Sequence, residues 1–398
     1  MASADTAVAM GELGRGAAAA MPLLRQRLRE LVECESPTED AAGVNRAAAM
    51  VAGWAAEIGG KARWHRQRGY GDVLELRFGG RRRAGEELRP LLLLGHLDTV
   101  WPVGTLRGMP WREAADAEGV PRLYGPGVLD MKAGVAMALA ALGLLREAGL
   151  RGAVRRPVTM LLNSDEEVGS PVSRAMTERL AQESAAVLVL EPAQGLACKT
   201  ARKGVGQYDL AIEGVAAHSG VDFEHGHSAV RELAYQIEVV SGFTDLPRGL
   251  TVNAGVIAGG TRSNVVAGSA RAEIDVRIAR ASDAARVERL FRGLRVRDRG
   301  CRLTVTGGLN RPPMERKAGT VRLYRQARRL AGELGFALDE AATGGGSDGN
   351  FTAALGVPTL DGLGAVGEGA HAAHESVVVE HLAPRTALLA GLIATIAE

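Results

Sequence analysis

The order of apolar runs along the chain predicts an α/β protein with a second, smaller domain inserted into the first. Three features of the sequence underlie this. From residue 72 to 192, strand-like and helix-like segments alternate, as they do when helices cover a largely parallel sheet. After about residue 205 the pattern changes to long alternating strands with two helices among them. This β-α-β-β-α-β, or ferredoxin-like, block spans roughly a hundred residues, the usual size of one domain. Beyond residue 313, helix, glycine-rich loop and strand return. The expected division is therefore 1–204 with 314–398 for the main domain and 205–313 for the insert.

The elements follow in order. From residue 22, "PLLRQRLRELVECES" has apolar residues at helical spacing and is ended by "SP". "DVLELRF" (72–78) alternates like a strand, and "LRPLLLLG" (88–95) is the continuous apolar run of a strand covered on both faces. The basic run between them, "GGRRRAGEELR" (79–89), reads as a solvated hairpin turn rather than a phosphate-binding patch, since Glu86 and Glu87 follow the arginines. "DMKAGVAMALAALGLLREAGL" (130–150) reads as a helix ending at Gly149, "PVTMLLNS" (157–164) as a strand, "SPVSRAMTERLAQES" (170–184) as a helix and "AAVLVLEP" (185–192) as a strand. In the insert, residues 206–215, 250–260, 264–280 and 301–308 read as strands, and 228–242 and 282–294 as helices. "GVPTLDGLG" (356–364) is the returning strand of the main domain.

Composition excludes several classes of function. The 398 residues carry 48 Lys and Arg against 46 Asp and Glu, and the net charge of +2 supplies no field for nucleic acid or membrane. Cys34, Cys198 and Cys301 are scattered without CxxC spacing, which argues against a disulfide scaffold or a thiolate metal site and fits a reducing compartment. The opening residues are small rather than strongly apolar, and no run of about 18 apolar residues occurs. A cytoplasmic protein with no membrane span is expected.

In an open α/β sheet, ligands bind at the carboxyl ends of the strands. His96 and Asp98 in "LLLLGHLDTV", Asp130 in "YGPGVLDMKAG", Glu166 and Glu167 in "NSDEEVGS", Glu191 in "LEPA" and His371 in "GEGAHAAHE" all fall at that edge. Taken singly they have plainer readings, as a surface histidine, a helix cap or an acidic turn. Together they form a nitrogen and oxygen ligand set suited to two Zn²⁺ ions about 3.5 to 4 Å apart, bridged by a carboxylate and a water. Residues two apart in an extended segment share a face, so Asp98 is expected to accept the spare imidazole N–H of His96 and fix its tautomer.

With "GVAAHSG", "SNVV" and "TGGGSDG" added, the ordered motifs resemble those of the carboxypeptidase G / aminoacylase family of co-catalytic zinc hydrolases, over roughly residues 22 to 395. Acetylornithine deacetylase belongs to the same family. The resemblance implies that His96, Asp130 and Glu191 bind one zinc and His371, Asp130 and Glu167 the other. It implies that Glu166 is the general base. His371 is placed by its spacing of four from Glu375; His374 stands where Asp or Asn is usual and is the alternative register. The insert resembles the family's lid and dimerisation domain, and His218 its oxyanion-stabilising histidine, usually supplied by the partner subunit. Asn264, Arg277 and Arg311 match positions that hold the substrate's terminal carboxylate and side chain, with Lys203 a further candidate. For Arg277 a structural ion pair is an equal reading, because it alternates along a strand. The glycine run around Gly346 lacks a P-loop lysine and reads as a site for substrate carboxylate.

The resulting expectation is a homodimeric, dinuclear zinc hydrolase, with Co²⁺ or Mn²⁺ as acceptable metals. It would release a C-terminal amino acid, glutamate first among them, from a small peptide or N-acyl amino acid. An N-acyl amino acid deacylase of the acetylornithine deacetylase kind and a catalytically silent metal-binding homologue are the alternatives. The presence of Glu166 argues against the last, since a binder needs no base beside its ligands.

Overall fold

Leu91–His96 is buried from end to end, and the main sheet is built outward from it. The computed structural model describes residues 10–79, 88–147 and 156–396. Side chains alternate across a strand, so Leu91 and Leu93 enter one apolar cluster with Val135 and Leu139. Leu92 and Leu94 enter another with Leu180 and Ala181. Each buried leucine contributes about 1.5–3 kcal/mol relative to exposure, and a polar residue at any of the four positions would open one of the two cores.

The six strands lie in the order Lys61–His65, Val73–Phe78, Val158–Asn163, Leu91–His96, Ala186–Val189, Thr359–Leu360. Pairings among the last four are parallel. Val73–Phe78 runs antiparallel to Val158–Asn163, and Lys61–His65 antiparallel to Val73–Phe78. The sheet is therefore mixed, parallel at its centre and antiparallel at one edge, where a short connection joins Lys61–His65 to Val73–Phe78. Val158–Asn163 lies between Val73–Phe78 and Leu91–His96 in the sheet; most of the basic run, residues 80–87, lies outside the described residues.

Helix Met21–Glu33 buries Leu24, Leu28, Leu31 and Val32, the expected stripe. Helix Ala133–Glu147 buries most of its residues. The stretch Val128–Glu147 is long and apolar enough to cross a membrane, but 83% of its apolar window is buried inside the protein, as suits a core helix. Gly134 allows its close approach to the sheet: a Cβ there would stand 2.0 Å from the Leu190 carbonyl oxygen. A smaller antiparallel sheet joins Arg112–Ala115, Pro121–Tyr124, Ser376–Val378 and Gly367–Glu368. It sets residues 369–375 beside the turn that follows Tyr124. The three cysteines are free.

The chain divides into two compact units, Met1–Thr200 with Arg316–Ala342 and Ser347–Glu398, and Ala201–Glu315 with Thr343–Gly346. The boundaries differ from those expected at 204/205 and 313/314. Arg202 and Met314 exchange backbone hydrogen bonds of 2.9 and 3.0 Å, which carries both within the insert. Arg202 Nη1 also donates to the carbonyls of Gly345 and Gly346 at 3.2 and 3.0 Å, tying the glycine run to the same unit. Sequence periodicity contains no sign of such carbonyl contacts.

The insert is an antiparallel sheet in the order Thr251–Gly259, Ser269–Ile278, Gly204–Glu213, Arg302–Arg311, with helices Ala229–Ser241 and Ala284–Arg292. This is the β-α-β-β-α-β pattern with the two central strands first and third in the chain. Alternate residues of those strands, among them Tyr208, Leu210, Ile274 and Val276, share a core with Leu233 and Phe291. Tyr208 stacks on Phe291 with ring centroids 3.8 Å apart.

Candidate metal centre

His96 ends the central strand and is 1% exposed. Its Nδ1 lies 2.9 Å from the backbone carbonyl oxygen of Asp98. A carbonyl only accepts, so Nδ1 carries the proton and Nε2 is left as the donor atom toward a ligand. The Asp98 carboxylate is close as well, its Oδ1 3.4 Å from Nδ1, so both the carbonyl and the side chain of Asp98 face this proton, and the carboxylate makes further hydrogen bonds. Oδ1 accepts from the Glu166 N–H at 3.2 Å, and Oδ2 from the Glu167 N–H at 3.1 Å and the Thr38 hydroxyl at 2.8 Å. The short helical turn Glu166–Val168 begins there. Its unpaired first N–H groups attract a buried carboxylate more strongly than a single imidazole does.

Asp130 lies in the irregular turn Val128–Lys132, just before helix Ala133–Glu147. Its Oδ1 is 3.3 Å from His96 Nε2 and its Oδ2 is 3.4 Å from His371 Nε2. Beyond the imidazoles stand two more carboxylates, Glu191 Oε1 at 3.6 Å from His96 and Glu167 Oε2 at 3.3 Å from His371. Glu166 also brings an oxygen within 4.8 Å of ligand atoms of His96 and Glu191. Among the described residues it is His371, held at φ 63°, that meets Asp130 and Glu167.

Five carboxylates, those of Asp98, Asp130, Glu166, Glu167 and Glu191, thus surround two imidazoles. Asp130 and then Glu167 pull the His371 imidazole up to about 10. Burial alone would lower the pKa of His96, but Asp130, Asp98 and Glu191 outweigh it and hold it well above the usual histidine range. Glu167 is pushed up by burial. His96 Nε2, Asp130 Oδ1 and Glu167 Oε1 are buried without a hydrogen bond. Buried polar atoms are costly unless paired. A cation, which would pair all three and supply the missing positive charge, fits this donor set.

Residues 92–395 match the family described as peptidase family M20/M25/M40. The chain belongs to this family. The M20 chain is 30% identical over 378 residues to carboxypeptidase G2 of Pseudomonas sp. (strain RS-16), covering 93% of this chain and 88% of the relative. It is a hydrolase of metallopeptidase type, homologous to a carboxypeptidase. Its fold is similar to that of aminopeptidase PepT from Bacillus cereus, with a TM-score of 0.74 at 21% identity, covering 95% of this chain and 99% of that one. It is also similar to the YxeP protein of Bacillus subtilis, a dinuclear metal-binding M20 peptidase, with a TM-score of 0.66 at 15% identity and coverage of 95% and 98%.

Two further residues of the M20 chain support the centre beyond those that the sequence motifs point to as ligands or catalytic groups. Glu375, which in the sequence only marks the spacing from His371, is fully buried and accepts four hydrogen bonds, three from the Asp130 turn and one from Trp101 Nε1. Asp348 accepts from Asn163 Nδ2 at 2.6 Å and from the Ser170 hydroxyl, bracing the loop that bears Glu166 and Glu167. Next to it Ser347 donates to Asp361 at 2.6 Å. In "TGGGSDG", therefore, the serine and aspartate are buried struts; the signal was a pair of small polar residues ahead of the short helix Gly349–Ala354.

The substrate-binding candidates of the insert form two groups. His218 is exposed, and its Nδ1 accepts from the Gly220 N–H at 3.1 Å, which leaves the proton on Nε2. Asn264 lies alongside, its carbonyl accepting from the Ser219 N–H at 3.1 Å. The second group surrounds the glycine run. Lys203 N–H donates to the Thr343 carbonyl at 2.9 Å, and a Cβ at Gly346 would come within 2.7 Å of Val205 and 3.1 Å of Arg311. Arg311 is buried. Arg277 donates to Asp275 on its own strand at 2.8 to 3.1 Å and to the Gly344 carbonyl at 3.4 Å, the geometry of its structural reading.

Proposed function

We propose that this M20 peptidase is a metal-dependent amidohydrolase of carboxypeptidase G type, which releases a C-terminal amino acid, glutamate first among them, from a small peptide or N-acyl conjugate. The reading rests on Asp130, whose two oxygens lie 3.3 and 3.4 Å from two different imidazoles, each with a further carboxylate beyond it. This arrangement supports two cations sharing Asp130, one with His96 and Glu191 and one with His371 and Glu167. Nitrogen and oxygen donors without thiolate suit Zn²⁺ and accept Co²⁺ or Mn²⁺. The YxeP protein's dinuclear site and the 30% identity to carboxypeptidase G2 point the same way. Glutamate is favoured by "GHLDTVWPVGT" and by Glu191, which resemble carboxypeptidase members of the family.

When bound, the metal pair polarises the scissile carbonyl and lowers the pKa of water. Glu166 takes the proton of the attacking water and delivers it to the leaving amine nitrogen, ending the cycle ionised as it began. Asp98 fixes Glu166 and Glu167 through their N–H groups. His218, with its proton on Nε2, donates to the developing oxyanion. Asn264, Arg311, Lys203 and the loop at Gly346 receive the substrate's carboxylates, Arg311 by its planar fork. A cytoplasmic homodimer joined through the insert completes the reading.

The test is a panel of N-acyl amino acids offered to the zinc-loaded protein, varying the C-terminal residue first and the acyl group second. Glutamate at the terminus should give the highest kcat/KM, and amidation of its α-carboxylate should abolish turnover. Hydrolysis indifferent to that carboxylate would sink the carboxypeptidase reading. The ligand set is tested by metal content: His371→Ala should lose at least one zinc per chain, whereas His374→Ala should keep both. The reverse result would put the C-terminal ligand loop three residues out of register.

A further inference from the structure

Glu375 joins the two loops that hold the candidate metal ligands of the Asp130–His371 side. It lies four residues after His371, yet all of its side-chain hydrogen bonds run to segments some 245 or more residues earlier. Oε1 accepts from the N–H groups of Leu129 at 2.9 Å and Asp130 at 3.0 Å. Oε2 accepts from the Gly127 N–H at 2.9 Å and from Trp101 Nε1 at 2.8 Å. The residue is 0% exposed. Three main-chain donors from one turn, converging on one carboxylate, are the pattern of an anion holding a loop in shape. The turn is tight, with Gly127 at φ +70° and a Cβ there only 2.6 Å from Thr99.

We propose that Glu375 is a positioning residue for the metal pair: its carboxylate fixes the backbone of Gly127–Asp130 before any cation arrives, and so sets the two Asp130 oxygens toward His96 and His371. The proposal rests on the reading of Asp130 as the shared ligand. Both cations would depend on Asp130, so loss of its support weakens both. Glutamine cannot substitute, although it has the same shape. Each Glu375 oxygen faces two donors, and an amide NH₂ in either place would oppose two N–H groups instead of accepting from them.

Zn²⁺ titration of the metal-free protein against a chromophoric chelator, for the wild type and Glu375→Gln, tests this together with the Tm of both metal-free forms. The variant should bind Zn²⁺ about 10- to 100-fold more weakly at both sites, the usual cost of removing a group that orients a ligand. A variant that folds and binds within twofold of wild type overturns the proposal, as does a fall in Tm with unchanged affinity, which would make the role structural. Hydrogen exchange on the metal-free wild type decides the matter if the variant does not fold. The amides of Gly127, Leu129 and Asp130 should already be protected without metal. Free exchange that ceases only on adding Zn²⁺ would mean the cation orders the turn, and would overturn the proposal. A wild type that binds no Zn²⁺ would instead defeat the metal reading itself, and the exchange result would still stand for Glu375.

Discussion

Replacing Glu166 by glutamine is expected to remove nearly all turnover while both cations remain bound. His96, Asp130 and Glu191 on one side, and His371, Asp130 and Glu167 on the other, keep their ligand atoms in the variant. The turn keeps its shape as well, because Asp98 holds it through the main-chain N–H groups of Glu166 and Glu167. What disappears is a carboxylate able to take a proton and return it. General acid and base help contributes about 10² to 10⁴ in rate, equivalent to roughly 2.7 to 5.4 kcal/mol of barrier. The measurements are kcat and metal content on the same preparation. A kcat above about a tenth of wild type would take Glu166 out of the mechanism; loss of a cation would recast it as a ligand.

The second large effect is expected at His218. In His218→Ala the protein should fold and bind metal normally while kcat falls by about 10² or more, the usual cost of one oxyanion donor. KM should move less, since the interaction strengthens only in the transition state. His218 is exposed and its local partner, the Gly220 N–H, stays in place on substitution, so the fold has little to lose. If the donor comes from a second copy of the chain, mixing inactive His218→Ala with inactive Glu166→Gln should restore partial activity after subunit exchange. In the mixed dimer one centre receives an intact member of each pair. Separately cross-linked homodimers should stay inactive. Demonstrated mixed dimers without any recovery would confine His218 to its own chain or exclude it.

Much of the site could be read from the sequence because its side chains sit where periodicity ends. Four leucines running into His96 mark a strand covered on both faces, and the polar residue that stops such a run must lie at the sheet's mouth. Glu167 and Glu191 follow by the same reasoning, while Asp130 is marked by its place just before a helix. Details that depend on where the main chain turns after a strand were not legible. The spacing of His96 and Asp98 points to the pair, but not to the Asp98 backbone carbonyl, which lies nearer Nδ1, at 2.9 Å, than the carboxylate does at 3.4 Å. Glu375 looks like any loop glutamate until the Gly127–Asp130 turn supplies its donors from far away in sequence. The edge strand Lys61–His65 pairs antiparallel with Val73–Phe78 across a short connection, and Val73–Phe78 pairs antiparallel with the distant Val158–Asn163, directions that alternation alone does not reveal. The glycine run joins the insert through carbonyl contacts to Arg202, and glycines carry no pattern that could signal them.

The discontinuity of the main unit also sets an order of events during synthesis. Glu191 precedes the whole of the insert and His371 follows it. At about 5–20 residues per second, a ribosome needs roughly ten to forty seconds to cross that interval. During this time the nascent chain displays His96, Asp130, Glu167 and Glu191 without their final companion. The insert's first 115 residues, Ala201–Glu315, are contiguous and emerge in one piece. With the proposed ligand set, a metal ion met early would find an incomplete cage, and the pair of sites would close only when His371 leaves the tunnel.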